Sequence, residues 1–299
     1  MNIMLDLKLY TLLTVIEEKS FTAAAKKLSF TQPAVTQQIN SLESEYGVKI
    51  FNRDKKQITL TKEGEIIANY AKKFKAMDDK LKEELKNINS SHICLKVGIT
   101  HTEESNNLIS AIGKFCLQNA NISISIISDT TENLYEMIKN YELDFAVVAR
   151  KNTDNYINSY PLDSDQIVCV LNPSHYLTTK KEVTLKDLSK EKLILRLNTS
   201  ETRKLFDSYL QSISDSINNY NVILEVDNIA TIKDLVRKDF GISILPKSAC
   251  MDEVGKKKLV VLPIKNSNIE KHNYLIYNNY FRYPKIIEEF VNLYKKTYL

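Results

Sequence analysis

Residues 20–43 of this chain, SFTAAAKKLSFTQPAVTQQINSLE, decide the fold of its first domain. Three consecutive alanines are the strongest helix formers, and Ser20 or Thr22 is placed to cap the helix that they belong to. Thr31 can cap a second helix, and Pro33 suits its first turn, where a missing N–H costs nothing. The pattern predicts two helices joined by a tight turn.

The second of these helices has two chemically different faces. Its predicted buried stripe consists of Val35, Ile39 and Leu42. Its other face carries Gln32, Thr36, Gln37 and Asn40. These polar side chains donate and accept hydrogen bonds, as reading base edges in a major groove requires. The pattern therefore predicts a DNA-reading helix-turn-helix; the alternative is a helical hairpin with a solvated polar face.

The flanking residues favour the first interpretation. A helical stripe precedes the motif, formed by Leu5, Leu9, Leu12, Leu13 and Ile16. Gly47 is a plausible helix stop after it. The runs 47–53 and 57–61 then read as extended segments on either side of a charged tip, residues 54–56. Together these features predict a winged helix-turn-helix.

Here the sequence resembles the LysR-type transcriptional regulators. The matching positions, all in register, are Ser20-Phe21, Ala24-Ala25, Leu28, Gln32-Pro33-Ala34-Val35, Ile39, Leu42-Glu43, Gly47, Phe51, Arg53, Thr61 and Gly64. The resemblance implies a regulator that binds double-stranded DNA, responds to a small-molecule effector, forms a homo-oligomer and contacts RNA polymerase.

The resemblance also implies which side chains contact DNA. Carried onto this sequence, they are Thr31, Gln32, Pro33, Thr36, Gln37 and Arg53. Many family members carry Arg at the position of Gln37. Because Arg favours guanine and Gln favours adenine, we expect an A·T pair at that base. For Arg53 the alternative is a structural salt bridge with Glu43 or Asp54.

A long helix follows, which Thr61 can cap. Its apolar positions approximate a heptad seam: Ile67, Tyr70, Phe74, Met77, Leu81, Leu85 and Ile88. The resemblance implies that this linker helix mediates dimerisation; the alternative is a helix packed on its own domain. Residues 87–91 are predicted to end the helix at a hinge. The predicted domains are thus 1–61, 62–91 and 92–299.

The remainder of the chain alternates strand-like and helix-like segments, which predicts an α/β sheet with crossover helices. Predicted strands are 93–100, 122–128, 145–149, 166–171, 192–195, 222–226, 242–245 and 273–277. Predicted helices include 107–118, 131–140, 202–212, 229–238 and 284–294. The whole chain is thus α+β and multidomain. The resemblance implies a two-subdomain effector domain like the periplasmic solute-binding proteins, with subdomain I at 92–162 plus 268–299 and subdomain II at 163–267.

The resemblance places an effector at strand ends and helix N-termini, where free N–H groups suit anions. The matching residues are Thr100, Thr102, Arg196, Ser200 and Thr202. These hydroxyls can alternatively do no more than cap helices. Glu103 and Glu104 would favour a ligand that carries an amine, or would simply complement a helix N-terminus.

Composition and the missing motifs limit which other functions the sequence allows. No apolar run of the 299 residues approaches the roughly 20 needed to cross a bilayer, and no signal peptide is visible, so we expect a cytoplasmic protein. The four cysteines are far apart and read as buried reduced thiols, and the isolated histidines indicate no metal site. Phosphate-loop, dinucleotide and hydrolase motifs are missing, so we expect no cofactor and no catalysis. The alternatives are a small-molecule-binding protein of solute-binding fold and, last, an enzyme on that fold.

Overall fold

The computed structural model describes residues 6–52, 58–86, 92–103, 107–151 and 154–298. The chain forms two compact units, one of residues 1–93 with 139–142 and the other of residues 94–138 with 143–299. Some predicted features lie outside the described residues: Arg53, the charged tip 54–56, Ile88, the hinge 87–91 and Glu104.

The described part of the first unit is helical. Its helices are α1 (Leu7–Glu18), α2 (Phe21–Leu28), α3 (Gln32–Tyr46) and α4 (Lys62–Lys86). Its core consists of Leu12, Val15, Ala24, Ala25, Val35, Ile39, Leu42, Ile50 and Phe51. The two alanines are buried side by side on α2, where their small side chains let α1 and α3 approach closely. The predicted buried stripe of α3 is confirmed.

The predicted helix ends are confirmed as well. Ser20 Oγ accepts a hydrogen bond from the N–H of Ala23 at 3.2 Å, and Thr31 Oγ1 accepts one from Ala34 at 3.3 Å. Gly47 follows α3 in the left-handed conformation, with φ of +67°, which glycine adopts without steric cost. Thr61 Oγ1 accepts from the N–H of Gly64 at 2.9 Å and so caps α4.

A short antiparallel pairing stands where the wing is predicted. Phe51 and Leu60 form a single β-bridge, and the N–H of Asn52 donates to the carbonyl of Thr59 at 2.9 Å. The Asn52 amide also donates to the carbonyl of Leu60 at 2.8 Å. These contacts join the two extended runs at their base, on either side of the charged tip.

The second unit alternates strands and helices. Its strands are β1 (Ile93–Thr100), β2 (Ile122–Asp129), β3 (Phe145–Val148), β4 (Ile157–Leu171), β5 (Lys192–Arg196), β6 (Asn221–Val226), β7 (Ser243–Pro246), β8 (Val260–Pro263) and β9 (Glu270–Asn278). Its helices are α5 (Asn107–Gln118), α6 (Thr131–Lys139), α7 (Leu185–Leu188), α8 (Glu201–Ser212), α9 (Ile229–Arg237), α10 (Met251–Gly255) and α11 (Pro284–Tyr298).

Strand β4 runs through both halves of this unit. The main sheet has the order β2-β1-β3-β9-β4-β7, and β8 also pairs with β4. The first ten residues of β4, 157–166, pair antiparallel with β9, whereas residues 167–171 lie between β7 and β8. We call residues 94–166 with 270–298 the first lobe and residues 167–269 the second lobe. Hydrophobic clusters fill each lobe separately.

Strand β5 completes the second lobe. It pairs in parallel with β6, and on its other side the N–H of Ile194 donates to the carbonyl of Ile242 at 2.9 Å. The end of β5 therefore lies beside the strands of the lobe's core, and the chain leaves it at Arg196 toward α8. This arrangement fixes where the predicted effector residues of the second lobe stand.

The sequence-based strand prediction fails in two places. Only residues 166–171 of β4 are predicted, because residues 157–165 carry polar side chains on the exposed face and Pro161 near a register shift. Strand β8 and the short helices α7 and α10 are also missed.

Candidate functional sites

The polar face of α3 is open to solvent. Thr31, Gln32, Pro33 and Gln37 are exposed, and Thr36 is half-buried. The Gln32 amide donates from Nε2 to Thr36 Oγ1 at 2.9 Å, one turn along the helix. Both side chains thus lie on the exposed face of α3, on the opposite side from its buried stripe. A surface of this kind can present several donors and acceptors at once to base edges.

A buried carboxylate holds this helix to the start of the wing. Glu43 accepts hydrogen bonds from Lys49 Nζ at 2.6 Å and from the N–H of Ile50 at 2.9 Å. Burial by itself raises the pKa of Glu43, but the bonds from Lys49 and Ile50 outweigh burial and leave it below its usual value. Sequence analysis singles out Glu43 only as a matching position and as a possible partner of Arg53.

A cavity open to solvent lies in the second unit, and the empty space in and at the mouth of it is about 400 Å³. Its lining comes from both lobes: Thr100, His101, Thr102, Asp129, Thr130, Thr131, Arg196, Thr199, Ser200, Glu201 and Asp227. The residues lie at the carboxyl ends of β1, β2, β5 and β6 and at the first turns of α6 and α8. Four of the five predicted effector residues are thereby brought together; Thr202 is not part of the lining.

The hydroxyl groups at this cavity differ in what they bind. Ser200 Oγ accepts from the N–H of Arg203 at 3.2 Å and caps α8, as the capping alternative predicts. The hydroxyls of Thr100, Thr131 and Thr202 are buried and have no hydrogen-bond partner among the residues that the structure describes. Because an unsatisfied buried hydroxyl is costly, Thr100 and Thr131 on the cavity wall are ready to bind a ligand or water. Thr131 escapes sequence analysis, since nothing local distinguishes it from any helix start.

Arg196 is buried at the end of β5. Its Nη2 donates to Asp227 Oδ1 at 3.2 Å. Its carbonyl accepts from Arg203, whose guanidinium also bonds Asp207 at 2.9 Å and Glu225 at 2.6 Å. Arg203 therefore ties β5, α8 and β6 together and supports the backbone beneath Arg196.

Neither prediction for Glu103 includes its observed contact. The Glu103 carboxylate forms an ion pair with Lys271 of β9, and the side chains are only 2% and 1% exposed. The predicted helix-terminus role and the predicted amine-binding role both omit this lysine, which lies 168 residues away in the sequence. A carboxylate already neutralised by a buried lysine is a poor candidate for attracting a ligand's amine.

The cysteines also divide into two groups. All four are free, but only Cys169 and Cys250 are buried, whereas Cys94 and Cys116 are half-buried. Burial raises the pKa of the Cys250 thiol to about 12, which keeps it protonated and unreactive at neutral pH. The prediction of buried thiols is therefore right for Cys169 and Cys250 and wrong for Cys94 and Cys116.

Two family profiles match this chain. The profile described as bacterial regulatory helix-turn-helix protein, lysR family, matches residues 7–65, and the profile described as LysR substrate binding domain matches residues 94–298. The chain belongs to the LysR family. It is therefore a DNA-binding transcriptional regulator with a small-molecule effector domain, and the predicted fold class is confirmed.

Relatives and solved structures agree with this assignment. An HTH-type transcriptional regulator in the lacR 5' region of Staphylococcus xylosus is 30% identical over 263 residues, which cover 88% of this chain and 90% of that protein. CbnR in complex with its target DNA shares the fold, with a TM-score of 0.70 at 18% identity over 97% of this chain and 98% of CbnR. The effector-binding domain of QuiR, in complex with shikimate, gives 0.58 at 22% identity over 70% of this chain and all of that domain.

The described residues contain neither a helix that could span a membrane nor a group of metal-binding side chains. No helix in those parts of the chain combines the length and the apolar character needed to cross a membrane. Within the same residues, no three His, Cys, Asp or Glu side chains are grouped so that they could hold a metal ion.

Proposed function

We propose that this LysR-type regulator reads its operator with the exposed face of α3. Gln32, Pro33 and Gln37 contact base edges and methyl groups, while Thr31 and Thr36 contact phosphates or bases. Arg53 adds a phosphate contact from the wing. The observation that carries this proposal is the exposed Gln32–Thr36 pair on a helix whose other face is fully packed. The relative CbnR binds its target DNA with the same fold.

The direct test is to sequence the genomic fragments that the full-length protein retains at near-physiological salt. We expect enrichment at one or a few promoters with a partly palindromic, A·T-rich core. Diffuse retention that salt abolishes would contradict specific operator reading, because phosphate contacts alone are strongly salt-dependent and carry no sequence information.

Gln37 provides a sharper test of base reading. Gln37→Arg should shift the preferred base pair at one position toward G·C, with discrimination of roughly 1–3 kcal/mol. Binding-site selection on the wild type and the variant measures this shift. Ser44→Arg, at an exposed position of the same helix outside the proposed contact set, is the matched control for added charge. A wild type that selects a strict G·C pair at the position read by residue 37 would contradict the proposal.

We further propose that α4 joins two copies of the chain. Five apolar side chains of α4 are 37–58% exposed in the single chain: Tyr70, Phe74, Met77, Leu81 and Leu85. A regular apolar stripe of this length stabilises a helix only when a partner covers it. Met77→Glu with Leu81→Glu should therefore reduce the oligomer in analytical ultracentrifugation. Lys72→Glu, also on α4 but exposed and outside the stripe, should not; equal oligomerisation of all three proteins would contradict the proposal.

The proposed effector site is the cavity at Thr100, Thr102, Arg196 and Ser200, with Thr202 behind its wall. The supporting observation is that Thr100 and Thr131 line the cavity with buried hydroxyls that no protein group satisfies. A small molecule that raises the melting temperature of the full-length protein should lose this effect in Arg196→Met. Undiminished stabilisation of the variant would place the ligand elsewhere.

The remaining functional expectations follow from this assignment. Effector binding shifts the population between two arrangements of the lobes, and only the ligand's differential affinity for these arrangements can alter operator binding. We propose that the regulator acts in the cytoplasm, contacts RNA polymerase and catalyses no reaction. Turnover of any ligand that binds the cavity would contradict the last of these expectations.

A further inference from the structure

Three carboxylates line the effector cavity, and they are not equivalent. Asp227 pairs with Arg196 at 3.2 Å, and Glu201 pairs with Lys204 at 3.0 Å. Asp129 has no such partner: within the described residues, no cationic side chain lies within ion-pairing distance of it. Among the described residues, Asp129 is therefore the carboxylate of the cavity wall that has no ion-pair partner.

The hydrogen bonds of Asp129 leave half of its carboxylate available. The N–H of Thr130 and the Asn133 amide both donate to Oδ1, each at 2.7 Å. These two neutral donors hold Asp129 in place at the start of α6. The second oxygen, Oδ2, takes part in none of these bonds, and a carboxylate oxygen is a strong acceptor for an ammonium group.

The same cavity also offers groups that suit a carboxylate. Arg196 contributes a guanidinium, and the unsatisfied hydroxyls of Thr100 and Thr131 can donate to an anionic oxygen. The first turn of α8 adds the positive end of a helix dipole. A ligand with a carboxylate alone would satisfy these groups but would leave its charge near the uncompensated Asp129.

We propose that the effector is a small zwitterion of the amino acid class. Its carboxylate binds Arg196 and the threonine hydroxyls, and its ammonium group binds Asp129. This inference rests on the proposed effector site and adds the class of ligand. A zwitterion supplies a cation to Asp129 and acceptor oxygens to the threonine hydroxyls at once, whereas an acid leaves Asp129 without a cation and an amine leaves the hydroxyls of Thr100 and Thr131 without an acceptor.

The test uses full-length protein and a defined set of probes. The twenty standard L-amino acids, β-alanine and γ-aminobutyrate are screened by thermal shift, and titration calorimetry measures the affinity of those that stabilise the protein. Each one that binds is then compared with its deaminated acid and its decarboxylated amine. We expect at least one amino acid to bind at least tenfold more tightly than either analogue.

The variant Asp129→Asn removes the negative charge but keeps an oxygen that can accept the same hydrogen bonds. Its amide oxygen can still accept from Thr130 and Asn133, so the start of α6 is preserved. We expect at least a tenfold loss of affinity for the amino acid and no loss for the deaminated acid. Glu136→Gln removes the same charge from an exposed position on the same helix, outside the cavity lining, and should bind like the wild type.

The outcomes distinguish this inference from the site proposal. If no amino acid binds, or if Asp129→Asn binds the amino acid as well as the wild type does, the zwitterion inference is overturned. If only deaminated acids bind and Arg196→Met abolishes their binding, the effector site stands without the zwitterion. If Arg196→Met binds the ligand unchanged, the site proposal itself is wrong.

Discussion

The recognition helix and the effector cavity assemble their functional groups in opposite ways. The side chains of α3 that we propose read DNA are neighbours in the sequence and mostly exposed, and the core beneath them is complete without them. The cavity collects residues from four distant segments, 100–102, 129–131, 196–201 and 227, and buries several of them. Substitutions on α3 should therefore alter binding alone, whereas substitutions around the cavity should alter stability as well.

Two ion pairs, one in each unit, differ in their exposure to solvent. In the first unit, Lys27 pairs with Glu18 at 2.7 Å at the surface, where solvent screens the charges. In the second unit, Glu103 directly follows the cavity residues and pairs with Lys271 out of contact with water. Only the second pair leaves a buried charge behind when one partner is removed.

The largest predicted effect concerns this buried pair. Lys271→Met should lower the unfolding free energy of the effector domain by about 3–5 kcal/mol, because Glu103 loses the cation that neutralises it. Urea denaturation of the full-length protein, followed by circular dichroism, measures the change. Adding Glu103→Gln should restore much of the loss, since the unpaired charge is then removed.

Lys27→Met is the matched control for the loss of a lysine. It should leave the denaturation midpoint where it is, because the side chain is solvated and its ion pairs are screened. Equal destabilisation by the two lysine substitutions would contradict the expected difference between the solvated Lys27 pair and the buried Lys271 pair.

A smaller effect is predicted at Gly64, within the first turn of α4. A Cβ at this position would lie 2.2 Å from the carbonyl oxygen of Ile50, which also accepts a hydrogen bond from Thr61 at 2.9 Å. Since the clash is with backbone, Gly64→Ala should cost about 1–3 kcal/mol in the first unit. Hydrogen exchange on α1 to α3 in the full-length protein measures it. Protection at the wild-type level would show that α4 can shift away from the wing.

A still smaller loss of stability is predicted for the removal of the Glu43 charge in the first unit. Glu43→Gln should cost about 1–2 kcal/mol at neutral pH, because hydrogen bonds to a charged acceptor are replaced by weaker ones. The pKa of Glu43 is lowered in the folded state, so its contribution is complete above its unfolded value of about 4.5 and is lost as the pH falls through the folded value. The difference between wild type and variant should therefore shrink in acid. A difference that grows as the pH falls would contradict this assignment of charge.

These contrasts explain what sequence alone could predict. The helices of the first unit and their caps at Ser20 and Thr31 follow from local spacing, and the structure confirms them, whereas the reading of DNA by α3 stays a prediction. The long helix α4 is also predicted, because its apolar residues recur at intervals of three or four. The family's effector residues Thr100 and Arg196 reach the same cavity, but by resemblance rather than by any local pattern.

The remaining features depend on contacts between distant segments. No spacing rule brings Lys271 to Glu103, or leaves Asp129 without a cation while Asp227 has one. No local sequence pattern identifies Thr131 as a binding residue. It stands out only in the structure, where its buried hydroxyl lacks a partner among the described residues and lines the cavity. Residues 157–165 of β4 are not predicted, and their partner strand, β9, stands more than 100 residues later in the sequence.

The smallest predicted effect has the opposite sign. Gly113 lies within α5, exposed, and a Cβ added there would meet nothing within 4 Å. Gly113→Ala should therefore stabilise the effector domain by about 0.5–1 kcal/mol, because alanine loses less backbone entropy on entering a helix. The same substitution at Gly64 destabilises the other unit, so denaturation of the two variants side by side separates backbone entropy from steric clash. Destabilisation by Gly113→Ala would contradict this prediction, since no described residue opposes the added methyl group.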